Sequence, residues 1–157
     1  MLIVGIDPGT RATGYGFLES DSGSIKLIEV GTIEPKKTDP LQKRILKIYT
    51  ILEKLIQQYQ PDVLVLEKLF AHYKHPATSA VIGHVRGVIC LVAAKEKIDL
   101  SEYSVKRIRK AVTGNGNASK VQTRSVVSHI LSVDEKKLTL DASDALALAL
   151  GYIYMNK

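Results

Sequence analysis

Apolar or small residues run from Leu2 to Ile6 without a polar break and stop at Asp7, with Pro8-Gly9 directly behind. A short Ile/Val-rich run closed by Pro-Gly predicts a strand buried on both faces that ends in a turn. Thr10 to Ser20, with Gly14 and Gly16 near its start, reads as a second strand, and Asp21 to Ser24 as a turn. Ile25 to Glu34 follows as a third strand, so the chain opens as a strand and a hairpin paired antiparallel. Pro35 to Pro40 is a polar connection. Leu41, Ile45, Ile48, Leu52, Leu55 and Tyr59 then recur at alternating four- and three-residue steps, one face of an amphipathic helix. Lys43, Arg44, Lys47 and Lys54 fall off that stripe and read as a solvated face.

Gln60-Pro61-Asp62 breaks the helix, and Val63 to Leu66 is a second buried-strand run that also stops at a carboxylate, Glu67. A loop rich in rings and lysines follows, Lys68 to Thr78, and then a helix from about Pro76 to Lys97. Gly83 and Gly87 leave a small-residue groove on that helix, suited either to close packing on the sheet or to a dimer contact. Arg86 beside them fits a buried ion pair or a phosphate contact. Asp99 to Val105 reads as a short strand. Lys106, Arg107, Arg109, Lys110 and Lys120 surround a Gly-Asn-Gly-Asn turn, where Gly114 and Gly116 would let backbone approach a phosphate and the cations neutralise it. A helix carrying Val121, Val126, Val127, Ile130 and Leu131 comes next. The last helix opens on Asp141, a good N-cap, with Asp144 one turn on and on the same face. Asp144 sits among Ala142, Ala145, Leu146, Ala149 and Leu150, a face with little room for bulk.

The chain has 157 residues, the size of one domain spanning 1–157. The formal charge of +6 suits an anionic partner, nucleic acid first. The lone cysteine, Cys90, lies in an apolar run and reads as core; with no disulfide framework, a reducing cytoplasm is expected. No leader pattern and no unbroken apolar run of about 18 residues points to a membrane.

Asp7, Glu67, Asp141 and Asp144 share an apolar setting. Asp7 alone could cap its own turn. Several carboxylates gathered together need cations, and oxygen-only ligands select Mg²⁺ or Mn²⁺. A pair of such ions stabilises both the attacking water and the leaving oxygen in phosphodiester hydrolysis. With a basic surface, that is the equipment of a metal-dependent nuclease. The histidines His72, His75, His84 and His129 lack zinc spacing, and no Walker loop or Ser-His-Asp signature is present.

GIDPGTRATGYG, VLEKLF, VRGV, GNGNASK and DASDALALAL, in this order and at these separations, resemble the RuvC family of Holliday junction resolvases over nearly the whole chain. The resemblance implies an α/β, RNase H-like fold, a mixed five-stranded sheet flanked by helices. It implies a cytoplasmic homodimer that binds a four-way DNA junction during homologous recombination and repair. Two strands of like polarity would be nicked symmetrically with Mg²⁺, Mn²⁺ substituting, at two ions per subunit. A RuvA–RuvB branch-migration complex is a further partner it brings into view. By the same resemblance Asp7, Glu67, Asp141 and Asp144 are the acidic metal-binding and catalytic quartet, and Lys120 a catalytic cation near the scissile phosphate. Phe70 would stack on an unpaired base at the crossover. Arg109, where the family commonly has lysine, would join Tyr73, Lys74, Arg86, Lys106, Arg107 and Lys110 in contacting DNA.

The sequence departs from the family pattern in the loop YKHPATSA, in GHVRG, and at Asn115 of the glycine turn. Those changes bear on cut-site preference and leave the acidic quartet whole. An actin-like or sugar-kinase ATPase would need a second domain and a second glycine-rich phosphate hairpin. A YqgF-type nuclease acting on RNA would lack the basic glycine turn and DASDALALAL. A junction-binding protein without catalysis would not need all four carboxylates.

Overall fold

The computed structural model describes residues 1–68 and 76–156. Strands β1 (Leu2–Asp7), β2 (Thr13–Asp21) and β3 (Ser24–Ile33) form the opening meander. Helix α1 (Leu41–Tyr59) crosses to β4 (Val63–Glu67), and α2 (Pro76–Lys95) crosses to β5 (Asp99–Tyr103). Helices α3 (Val105–Thr113), α4 (Lys120–Leu131) and α5 (Leu140–Met155) complete the chain. The sheet order is β3-β2-β1-β4-β5, antiparallel across β3-β2-β1 and parallel across β1-β4-β5.

Strand alternation divides the core into two layers. Val4, Ile6, Leu64 and Leu66 face α1 and α2, where Ile48, Leu52, Val85 and Ile89 are buried. Ile3, Val63 and Val65 face the other way, against Ile108, Val127, Leu146 and Leu150 of α3, α4 and α5. Asp7 and Glu67 share the parity of this second set, so both point toward α5. Their alignment starts at the far end of the strands. The Leu2 N–H donates to the Asp62 carboxylate at 2.6 Å, and the Asp62 N–H donates back to the Leu2 carbonyl at 2.8 Å. Asp62 thereby sets the register that pairs Ile6 with Leu66 and brings the two strand-end carboxylates side by side.

Helix α5 lies unusually close to the sheet. A Cβ on Gly5 would stand 2.0 Å from the Ala145 carbonyl oxygen, so only glycine lets β1 and α5 meet there.

Several boundaries shift from the sequence expectation. β2 begins at Thr13, because that fully buried residue is used to close the preceding turn. α2 ends at Lys95 because Lys97 turns left-handed, φ 58°, and the Ile98 N–H returns to the Ala93 carbonyl at 2.9 Å. β5 stops at Tyr103 because Ser104 caps α3. The stripe of α1 also includes Ile56, which is buried.

Candidate active site

Asp7 does not cap its own turn. Thr13 does that work: the Gly9 N–H donates to the Thr13 hydroxyl at 3.3 Å, and that hydroxyl donates to the Gly9 carbonyl at 2.7 Å. Among the described residues no group donates a hydrogen bond to the Asp7 carboxylate. The α5 N-cap is likewise Thr139, whose hydroxyl accepts the Ala142 N–H at 3.1 Å. That corrects the assignment of the cap to Asp141. Asp141 sits in the first turn and Asp144 in the second, both released from capping.

The four carboxylates meet at the α5 side of the sheet end. Burial pushes the Asp7 carboxyl from 3.8 up to about 7; Lys120 opposes this, and Asp144, Glu67 and Asp141 reinforce it. Glu67 is pushed up too, first by burial and then by Asp144, against Lys120, Arg109 and Arg86. These mutual effects place all four acids in one electrostatic cluster. Lys120 forms an ion pair with Asp144. Burial lowers the Lys120 pKa, but the hydrogen bond to Asp144 and the charges of Asp144, Asp7 and Asp141 outweigh it and raise the ammonium above its ordinary value.

Lys120 is presented by a well-built connection. Gly114 caps α3 in the left-handed region, φ 77°. The Asn115 side chain accepts the Asn117 N–H at 3.0 Å, and a reciprocal capping box between Ser119 and Gln122 opens α4 at Lys120. Gly116 packs against the stem and backbone of Lys106, where a Cβ would stand 2.9 Å from Lys106 Cγ. Arg109 and Lys120 line a cavity of about 210 Å³ with Glu67 and Asp144. Lys106 and Lys110 are exposed nearby. Arg107 is drawn aside over the Tyr103 ring, 5.1 Å from its centre.

Arg86 takes the ion-pair alternative. It is 12% exposed, donates to the Glu67 carbonyl and pairs with Glu102. Its guanidinium therefore fixes the end of β4 and is not presented as a free phosphate ligand. Phe70, Tyr73 and Lys74 lie outside the described residues.

Two cations that the helical stripe assigned to solvent are engaged. Arg44 donates through Nε and Nη2 to the Thr10 carbonyl, and Lys47 donates to the Glu34 carbonyl at 2.8 Å. Arg44 thus braces the turn that follows Asp7, a role that periodicity alone does not reveal.

Among the described residues no three His, Cys, Asp or Glu side chains already stand at metal-ligating geometry. The donor set nonetheless fits a hard divalent cation. It is all carboxylate oxygen, and Asp7 and Glu67 are held above the ordinary carboxylate range first by burial and then by the neighbouring acids, which a cation would relieve. Lys120 supplies part of that positive charge, pairing with Asp144 and lying within electrostatic reach of Asp7 and Asp141.

The model of the family "Crossover junction endodeoxyribonuclease RuvC" matches residues 3–152. The chain is 42% identical to a crossover junction endodeoxyribonuclease RuvC of Petrotoga mobilis over 149 residues, covering 95% of this chain and 91% of that one. It is 39% identical to the protein of that name from Caldicellulosiruptor saccharolyticus over 154 residues, covering 98% and 92%. Among solved structures, Thermus thermophilus RuvC in complex with Holliday junction substrate superposes with a TM-score of 0.88 at 20% identity, covering 99% of this chain and 95% of that one. A Fowlpox virus Holliday junction resolvase superposes at 0.61 and 18% identity over both full chains. These likenesses establish the RNase H-like resolvase fold, and with the family match they show that the chain belongs to the RuvC family of crossover junction endodeoxyribonucleases.

Proposed function

We propose that this chain is a Holliday junction resolvase that nicks two strands of like polarity symmetrically in a four-way DNA junction, in recombination and repair. The observation that carries this reading is the cluster of Asp7, Glu67, Asp141 and Asp144 at one sheet end, with Lys120 inserted among them. The family is one of metal-dependent nucleases. In this chain the four carboxylates would hold Mg²⁺, with Mn²⁺ substituting, at two ions per subunit. Such ions lower the pKa of bound water and offset charge on the phosphate. Lys120, paired with Asp144 here, would balance charge on the scissile phosphate. Arg109 lines the same cavity and adds positive charge beside Glu67. Lys106, Lys110 and Arg107 extend the basic surface for backbone contact, and Phe70, Tyr73 and Lys74 are assigned to the crossover, Phe70 by stacking on an unpaired base.

A homodimer suits a two-fold substrate, one site for each cut strand. Helix α2 supports it. Thr78–Lys95 is long and apolar enough to cross a membrane by composition, yet 22% of it is buried. Among the described residues a Cβ on Gly83 or Gly87 would meet nothing within 4 Å, so these glycines do not serve packing on the sheet. Ala80, Gly87 and Leu91 are exposed on the same outer side, Leu91 by 58%. A second copy seated there would cover the patch, with the glycines permitting close helix approach. Gly87→Glu is expected to leave the monomer folded, because the side chain enters open space and helix propensity rises. It would place like charges across the two-fold contact and weaken the dimer about a hundredfold or more. Light scattering behind size exclusion checks this, and an unchanged dimer would refute the α2 contact. We place the enzyme in the cytoplasm without membrane attachment, with a RuvA–RuvB branch-migration complex as its working partner.

The deciding assay is cleavage of a synthetic mobile four-way junction in Mg²⁺, beside linear duplex and an RNA hybrid. Paired nicks in the junction alone, lost in EDTA, are the expected result. Junction binding without cutting in either Mg²⁺ or Mn²⁺ would favour a binding module, and cutting of the hybrid instead would overturn the substrate.

A further inference from the structure

We propose that the cleft on the Asp141 side of the carboxylate cluster is a second backbone subsite, in which Arg11 holds a phosphate flanking the one that is cut; this rests on the junction reading above.

The cleft has a volume of about 670 Å³ and opens between the Gly9–Ala12 turn, Arg44, Thr78, Ile82 and Asp141. It touches the cluster through Asp141. The smaller cavity, with Arg109 and Lys120, touches it through Glu67 and Asp144. The acids therefore border three cavities: these two, each lined by two cations, and one of about 160 Å³ lined by Asp7, Glu67 and the already paired Arg86. A strand with one phosphate at the acids must lay its neighbours beyond them, and on the Asp141 side the cations that line its way are Arg11 and Arg44.

Arg11 and Arg44 play different parts. Arg44 is committed to the Thr10 carbonyl. Arg11 is exposed and, among the described residues, makes no hydrogen bond or ion pair. Its backbone is fixed from both sides, by Arg44 at Thr10 and by the Thr13–Gly9 pair of hydrogen bonds. A free guanidinium on a braced turn, beside a wide cleft of mixed lining, is preorganised for an anion. The openness of the cleft suits a polymer that passes through it. A phosphodiester strand is the anion that the adjoining acids already address.

The test measures junction affinity by fluorescence anisotropy in EDTA, so that nothing is cut, across a range of salt. The chains are wild type, Arg11→Ala, Arg11→Lys and Lys26→Ala. Lys26 is exposed and pairs with Glu19, whereas Asp7 pairs with Gly14 at the opposite end of β2. Lys26→Ala thus removes the same charge far from the cleft. Arg11→Ala is expected to weaken binding about tenfold near physiological salt and to lower the slope of log Kd against log salt by about 0.9, one phosphate contact. Arg11→Lys should retain the slope, and Lys26→Ala should match wild type. If Arg11→Ala behaves as Lys26→Ala does, the subsite is refuted while the nuclease reading stands. If wild type itself fails to prefer the junction over duplex, both fall.

Discussion

Replacing Asp7 by asparagine is expected to abolish junction cleavage, by about a thousandfold or more, while leaving junction affinity unchanged or slightly improved. The loss is that large because the carboxylate would hold a cation that offsets several kcal/mol of charge in the transition state. Affinity would survive because the groups proposed to face phosphate are cations, Arg109 and Lys120 among them, and removal of a nearby negative charge does not weaken them. The same substitution has a second readout that does not depend on activity. In the metal-free protein the Asp7 carboxyl is pushed up to about 7 from an ordinary 3.8, first by burial and then by Asp144, Glu67 and Asp141, against Lys120. Between these values the folded chain binds more protons than the unfolded chain, so Asp7 makes stability fall as pH rises from about 4 to about 7. Its share is on the order of a few kcal/mol, and above pH 7 the full penalty stands. Wild type in EDTA should therefore melt lower at pH 8 than at pH 5, and Mg²⁺ should recover the difference by binding only the folded state. Asp7→Asn should show a smaller pH drop, the remainder coming from Glu67, which is also raised. Loss of junction binding along with cleavage would instead mark Asp7 as structural.

The parts of this site that can be read from sequence are those set by one strong local constraint. Two short apolar runs, rich in β-branched residues and stopping at Asp7 and Glu67, read as buried strands, and parity along each run then sends both acids to one face of the sheet. The i, i+3 spacing of Asp141 and Asp144 survives any small shift in the helix start. The N-cap does not survive it: Thr139 and Asp141 are both competent caps, and packing of α5 on β1 and β2, not cap chemistry, chooses between them. The same limit hides Arg44. Helical periodicity divides a helix into stripe and surface, and a cation next to the stripe reads as solvated until the Thr10 carbonyl is seen beneath it. Arg86 offered two roles in sequence because nothing local says whether a partner faces it; Glu102, on a strand that begins 13 residues later, supplies that partner. Gly83 and Gly87 looked equally suited to sheet packing and to a dimer. Only the position of α2 shows that they face outward.

Gly14→Ala should disable the enzyme without touching a single side chain of the site. A Cβ on Gly14 would stand 2.0 Å from the Asp141 carbonyl oxygen, 2.3 Å from its carbon and 3.0 Å from the Ala142 nitrogen. All three are backbone, in the first turn of α5, so no rotamer relieves the clash. Gly14 is also paired with Asp7 across β1 and β2. Either the start of α5 lifts from the sheet or β2 pulls away, and in both cases Asp141 moves relative to Asp7. A shift of about 1 Å at a reacting centre costs about a hundredfold in rate. Overpacking of this kind costs a further 1–3 kcal/mol or so of stability. Gly16→Ala is the comparison that isolates position from packing. Its Cβ would meet the Leu146 side chain at 2.5 Å, which can turn away, and the nearest α5 backbone atom only at 3.4 Å. Gly16→Ala is therefore expected to lose some stability but retain most of its cleavage rate, assayed well below the melting temperature of each variant. Gly14→Ala should lose rate at saturating junction, need more Mg²⁺ to reach half its maximum, and still bind the junction. Equal losses in the two variants would mean that the spacing between β2 and α5 holds the fold but does not set the position of Asp141.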